Sequence, residues 1–144
     1  MNGLTMLPRR LTVVLDEDVL SVPARPEAST GRLETQMFLA SGADGENTAM
    51  KAHYGAGVWS QWHSHPLGQI LYILSGVCRV QREGGGVFYA RAGDVVWLAP
   101  DETHRHGADE GGPMSYLSIQ GVLGGEHALW AGQRCGTSRG AGPS

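Results

Sequence analysis

QWHSHPLGQ, residues 61–69, sets two histidines two positions apart ahead of a Pro-Leu-Gly turn and a glutamine. On an extended strand side chains alternate faces, so His63 and His65 point to the same side and reach one small target. An exposed polar strand end would produce the same pair by accident. The device recurs, however. DETHRHG, residues 101–107, brings His104 and His106 at the same spacing after a strand-like run, so four of the six histidines fall in two places. Imidazole is the commonest neutral metal ligand, and three nitrogens joined by one oxygen suit Zn, Mn, Fe, Co or Ni in an open site.

Outward from these two stretches the chain reads as short strands separated by glycine turns. RLETQMFLA (32–40) and TAMKAHY (48–54) alternate, and with Lys51 and His53 facing out, Met50, Ala52 and Tyr54 face in. QILYILSG (69–76) is a nearly continuous apolar run that reads as a strand buried on both faces. VCRVQRE (77–83), a GGG connection and VFYARAG form a hairpin; GDVVWLAP (93–100) is a further buried strand. MSYLSIQG (114–121) is the last clear strand, with Met114, Tyr116, Ser118 and Gln120 on its inward parity. The apolar run LTVVL (11–15) is expected to be a strand that pairs with another edge or with a second subunit. One helical turn is expected over 125–132, with His53 and His127 at the surface.

Twenty-two glycines, 41% hydrophobic and 17% charged residues in 144 fit one compact β-rich domain able to bury a core without disulfides. The expected fold is all-β, a closed or nearly closed antiparallel barrel that gathers inward histidines around one cavity. Residues 1–31 are assigned to an N-terminal arm, 32–123 to the barrel and 124–144 to a C-terminal extension whose tail is expected to be disordered. A net charge of −3 gives no basic footprint, which excludes nucleic acid and an anionic membrane surface as partners. Cys78 lies in an apolar strand and Cys135 in a polar tail, which makes no disulfide framework and, with no signal-type N-terminus, points to the cytoplasm.

Gly57, His63, His65, Gln69 and Gly76 resemble the first cupin motif, and Gly93, Asp94, Pro100 and His104 the second. The departures are Gln69 in place of the usual acid, Asp101 where glycine is commoner, and Ala99 where proline is usual. WHSHPLGQ, GVCRVQREGG, GDVVWLAP, HRHG and MSYLSIQ together are similar to the manganese-dependent bacterial cupin hydroxynitrile lyases. That resemblance implies a single-domain jelly-roll barrel and one divalent metal per chain, Mn favoured, with Fe, Zn, Ni or Co as alternatives. It also implies His63, His65, Gln69 and His104 as ligands and His106 as general base. Tyr116, standing where those lyases have histidine, and Gln120 would hold or protonate the departing group. Met50, Ala52, Tyr54 and Trp97 would line the pocket of a small-molecule substrate. The family habit, with LTVVL, implies a homodimer. Four neutral ligands would leave a +2 charge uncompensated, which favours Lewis-acid over oxygen chemistry. The rival functions are a metal-dependent dioxygenase and a non-enzymatic small-molecule-binding domain.

Overall fold

The computed structural model describes residues 5 to 131, so the tail expected to be disordered lies outside the described residues. Among the described residues eleven strands form two antiparallel sheets: β1 (Val22–Pro23), β2 (Leu33–Leu39), β3 (Asn47–Tyr54), β4 (His63–Ser64), β5 (Gln69–Ser75), β6 (Val77–Arg82), β7 (Val87–Arg91), β8 (Val95–Leu98), β9 (His104–Ala108), β10 (Met114–Gly121) and β11 (Leu129–Trp130). One sheet runs β1-β2-β3-β10-β5-β8, the other β11-β4-β9-β6-β7. Only short 3₁₀ turns interrupt the β structure, and no helix of the described residues is long and apolar enough to cross a membrane.

The two inner faces enclose the core. Tyr54, Leu71, Ile73, Cys78, Val80, Ala90, Leu98, Ala108, Met114 and Tyr116 form one buried cluster. Leu71 and Ile73 are fully buried, each stabilising the barrel by about 1.5–3 kcal/mol. Period-2 alternation decides which residues contribute, and β10 shows it cleanly, with Met114, Tyr116, Ser118 and Gln120 all buried.

Gly76 makes the β5–β6 turn at φ +75°, where a Cβ would stand 2.2 Å from the Pro113 carbonyl oxygen. Asp101, at the position where glycine was the commoner residue, takes φ +64°, a left-handed conformation that Asp tolerates better than most side chains. Its backbone N–H donates to the His65 carbonyl, so this turn braces the first histidine pair.

Four expectations are corrected. GDVVWLAP is not a buried strand: Val95 and Trp97 are exposed, and of β8 only Leu98 is fully inside. QILYILS is buried on one face only: Gln69, Leu71 and Ile73 point in, while Ile70, Tyr72 and Leu74 are exposed, because the outer face of this sheet has no layer over it. LTVVL forms no strand; Leu11 and Val13 are 93% and 74% exposed, and the segment finds no sheet edge within the described chain. Residues 125–130 form a turn and a strand instead of a helical turn, because Leu129–Trp130 finds the open edge of β4; helical backbone starts only at residue 131, where the description ends.

A candidate metal centre

His63 opens the two-residue strand β4 and His65 directly follows it, and His104 and His106 share one face of β9, as i, i+2 spacing requires. The register sets His63 directly opposite His104, bringing the two pairs together inside the barrel. One ligand nitrogen from each of the four histidines lies within 4.8 Å of every other, and all four residues are at most 3% exposed.

Three of the imidazoles are oriented alike. Nδ1–H donates to a backbone carbonyl in each: His63 to Gln61 at 2.7 Å, His104 to Glu102 at 2.8 Å, His65 to His127 at 2.7 Å. An Nδ1–H tautomer leaves Nε2 as a lone pair, and the Nε2 atoms of His65 and His104 are buried with no hydrogen-bond partner. Buried orphan acceptors are costly unless something fills them, and backbone-fixed imidazoles are what metal-ligating histidines use. The residues present therefore fit a divalent cation.

The protonation states agree. Burial, reinforced by the neighbouring imidazoles, holds His63 and His106 well below the ordinary histidine pKa, burial alone lowers His104, and His65 falls to about 3, chiefly from burial. All four are neutral at neutral pH, with lone pairs available.

His106 differs from the other three. Its Nε2 lies 3.2 Å from Gln69 Oε1, and its Nδ1 lies 3.2 Å from both the Tyr54 and the Tyr116 hydroxyl. The two hydroxyls are 3.0 Å apart, and burial raises both phenol pKa values, so both remain proton donors. Gln69 Nε2 donates to Gln120 Oε1 at 2.8 Å, which places Gln69 and Gln120 in one amide pair beside the histidines.

Of the residues singled out in the sequence, His63, His65, Gln69, His104, His106, Tyr116 and Gln120 are thus brought together. Tyr54, expected as a pocket wall, is a hydrogen-bonding member of the cluster. Ala52 is buried opposite Tyr116, and Met50 is half-buried further along β3. Trp97 is not brought in: its ring is 59% exposed on the outer face, opposite Ile70, because the inward positions of β8 are Val96 and Leu98. His53 sits outside the cluster and donates from Nε2 to Gln36 Oε1. His127, expected at the surface, is half-buried, and its carbonyl holds His65. Two neighbours of the cluster carry no sequence signal: Thr48, whose hydroxyl accepts from Gln120 Nε2 at 2.5 Å, and Trp130, whose ring lies 4.8 Å from that of His63.

Comparison with known proteins speaks to the family and the fold. The AraC-like ligand binding domain family matches residues 53–132, which takes in both histidine pairs. A 74-residue stretch is 46% identical to the (R)-mandelonitrile lyase of Granulicella tundricola, covering 51% of this chain. The match spans only 56% of the length of that curated relative. Among solved structures, a cupin-like protein of Thermotoga maritima superposes with a TM-score of 0.67 at 23% identity, covering 81% of this chain and 92% of that one. The polyketide cyclase RemF of Streptomyces resistomycificus gives 0.69 at 15% identity, covering 85% and 86%. These structural likenesses speak for the fold alone.

Proposed function

This chain belongs to the family of AraC-like ligand binding domains and is built as a cupin, and on that premise we propose that it is a metal-dependent lyase of hydroxynitrile-lyase type. The observation that supports this most is the trio of backbone-tethered imidazoles, His63, His65 and His104, inside a buried four-histidine cluster whose ligand nitrogens lie within 4.8 Å of one another, with the Nε2 atoms of His65 and His104 unpartnered. His63, His65, His104 and Gln69 would hold one divalent ion, Mn in the favoured reading, which supplies Lewis-acid polarisation of a bound hydroxyl.

The chain's own groups then handle the proton. Tyr116 donates toward His106 Nδ1, so a cyanohydrin hydroxyl that gives its proton to the Tyr116 oxygen passes one proton on to His106. His106 is the general base of this relay, a role typically worth about 10²- to 10⁴-fold. The carbon–cyanide bond breaks with its electron pair on cyanide, the aldehyde carbonyl forms, and the stored proton returns to cyanide. Gln120 works here by holding Gln69; both ends of its amide are engaged. Tyr54, Ala52 and Met50 remain on the substrate side, and Trp97 is withdrawn.

A second reading, a small-molecule-binding domain that keeps its metal for structure, is favoured by the ligand-binding character of the matched family. One experiment separates the two. Elemental analysis is combined with cyanide release from mandelonitrile by metal-free protein and by protein reloaded with Mn, Fe, Zn or Ni. About one metal per chain with metal-dependent cyanide release under nitrogen supports the lyase. Full metal occupancy without cyanide supports the binding domain, and activity only in oxygen would move the reading to a dioxygenase.

We also propose a homodimer. Tyr72, Phe88, Tyr89 and Trp97 are 44–74% exposed and, at 150–250 Å² per aromatic side chain, leave about 500 Å² of apolar surface open. Phe88, Tyr89, Val95 and Trp97 line a groove of about 600 Å³ between β7 and β8. A patch of that size lies at the upper end of what a monomer's surface leaves open, and together with the unpaired apolar arm at Leu11–Leu15 it supports a dimer. Light scattering that shows a monomer at all concentrations would exclude it. A cytoplasmic location completes the proposal, in keeping with the buried free thiol of Cys78, and cell fractionation checks it.

A further inference from the structure

A single directed chain of hydrogen bonds runs across three neighbouring strands of one sheet, β3, β10 and β5, to the histidine cluster. It begins at Thr48, which stands directly opposite Gln120 in the β3–β10 register. The Thr48 hydroxyl donates to the Gln120 backbone carbonyl at 3.3 Å, which leaves Oγ1 to accept from Gln120 Nε2 at 2.5 Å. With its amide nitrogen committed there, Gln120 presents Oε1 to its cross-strand neighbour Gln69, which must answer with Nε2 at 2.8 Å. Gln69 in turn presents Oε1 to His106 Nε2 at 3.2 Å. A carboxamide oxygen has no proton to give, so His106 Nε2 carries the hydrogen and Nδ1 is the acceptor. At Nδ1 the geometry closes consistently, because its two neighbours are phenols: one donates to Nδ1 while the other donates to the first phenol's oxygen.

All six residues, Thr48, Gln120, Gln69, His106, Tyr54 and Tyr116, are at most 4% exposed. No solvent is on hand to repair a reversed link, so turning over either amide would set two donors or two acceptors face to face. The other three histidines of the cluster are set in the opposite tautomer, with Nδ1–H on a carbonyl.

We propose that Thr48 is a positioning residue that fixes both amides and, through them, locks His106 in the Nε2–H tautomer. The consequence, which rests on the metal-centre reading above, is a division of labour within the four-histidine cluster. His63, His65 and His104 offer lone pairs to a cation, whereas His106 presents an N–H there and cannot ligate. Its one lone pair faces the tyrosines and is reserved for proton transfer. Thr48 thereby decides which histidine is not a ligand.

The test reads the tautomer directly in metal-free protein, by long-range ¹H–¹⁵N correlation of the imidazole rings, with His106 assigned by its loss in His106→Gln. Wild type and Thr48→Ser are expected to show His106 protonated at Nε2. Thr48→Val, of the same shape without the hydroxyl, is expected to shift the tautomer ratio toward Nδ1–H by roughly tenfold or more, as one buried partner is lost. Adding Gln69→Glu to Thr48→Val replaces the amide that can turn a donor toward His106 Nε2 with an acceptor-only carboxylate and should restore protonation at Nε2. An Nδ1–H tautomer in wild type, or a Thr48→Val ratio equal to wild type, overturns the proposal. If Thr48→Val does not fold, Gln120→Met breaks the same chain one link later, and an unchanged ratio there overturns it equally. Neither metal nor substrate enters the measurement, so a failure of the lyase reading leaves the result intact.

Discussion

Acidifying the metal-free protein from pH 7 to pH 5 is expected to destabilise it through the buried histidines. His65 shows how much. Its pKa is held down to about 3 in the folded state, chiefly by burial, against about 6.5 in an unfolded chain. Between these values the unfolded state binds a proton that the folded state refuses, so stability falls as pH falls. The stabilisation is complete above pH 6.5 and is lost progressively toward pH 3. From pH 7 to pH 5, His65 alone costs about 2 kcal/mol, and His63, His104 and His106 are shifted in the same direction and add to it. Urea unfolding of EDTA-treated wild type and His65→Gln at the two pH values measures the difference, because the variant no longer titrates at this position. Wild type is expected to lose about 2 kcal/mol more than the variant over that interval. Equal losses would mean that His65 is protonated in the native state, and the burial argument for a neutral ligand cluster would fail with it.

The remaining predictions concern single side chains. His104→Ala is expected to lose most of the bound metal, whereas His53→Ala and His127→Ala keep it, since His53 lies outside the cluster and His127 contributes only its carbonyl; elemental analysis checks all three. Gly76→Ala places a methyl group 2.2 Å from the Pro113 oxygen at a left-handed φ and should cost more than about 2 kcal/mol in urea unfolding. At Asp101, also left-handed, Val should destabilise by about 1–2 kcal/mol relative to Gly. Leu71→Ala opens a cavity at a fully buried position and should cost about 2–5 kcal/mol, read from the thermal midpoint.

The histidine pairs were legible because i, i+2 spacing on a strand fixes which side chains share a face whatever the rest of the fold does. The barrel was legible for a related reason: many short runs ending in glycine leave few architectures open. What escaped the sequence was the assignment of apolar surface. QILYILS contains no polar residue between Gln69 and Ser75, so alternation was invisible there, and Trp97 inherited an inward direction that the parity of β8 does not give it. LTVVL has strand composition yet no partner within the described residues, since composition specifies a preference and only a neighbouring edge satisfies it. Thr48 gave no signal because a hydroxyl beside an amide is chemically ordinary until the register sets them opposite each other. His127 was misjudged for a similar reason: its part is played by a backbone carbonyl, which every residue has.

The carbonyls that tether the imidazoles also differ in how far along the chain they come from. His63 and His104 each bond the residue two positions before them, so local backbone geometry is enough to set both rings while the barrel is still assembling. His65 bonds a residue 62 positions later, on the segment that leads into β11. Its ring therefore has a fixed tautomer only when the segment leading into β11 is docked against β4. The third tethered imidazole thus depends on a long-range contact that the other two do not need: with the segment around His127 undocked the site keeps two prepared ligands, and with it docked the site has three.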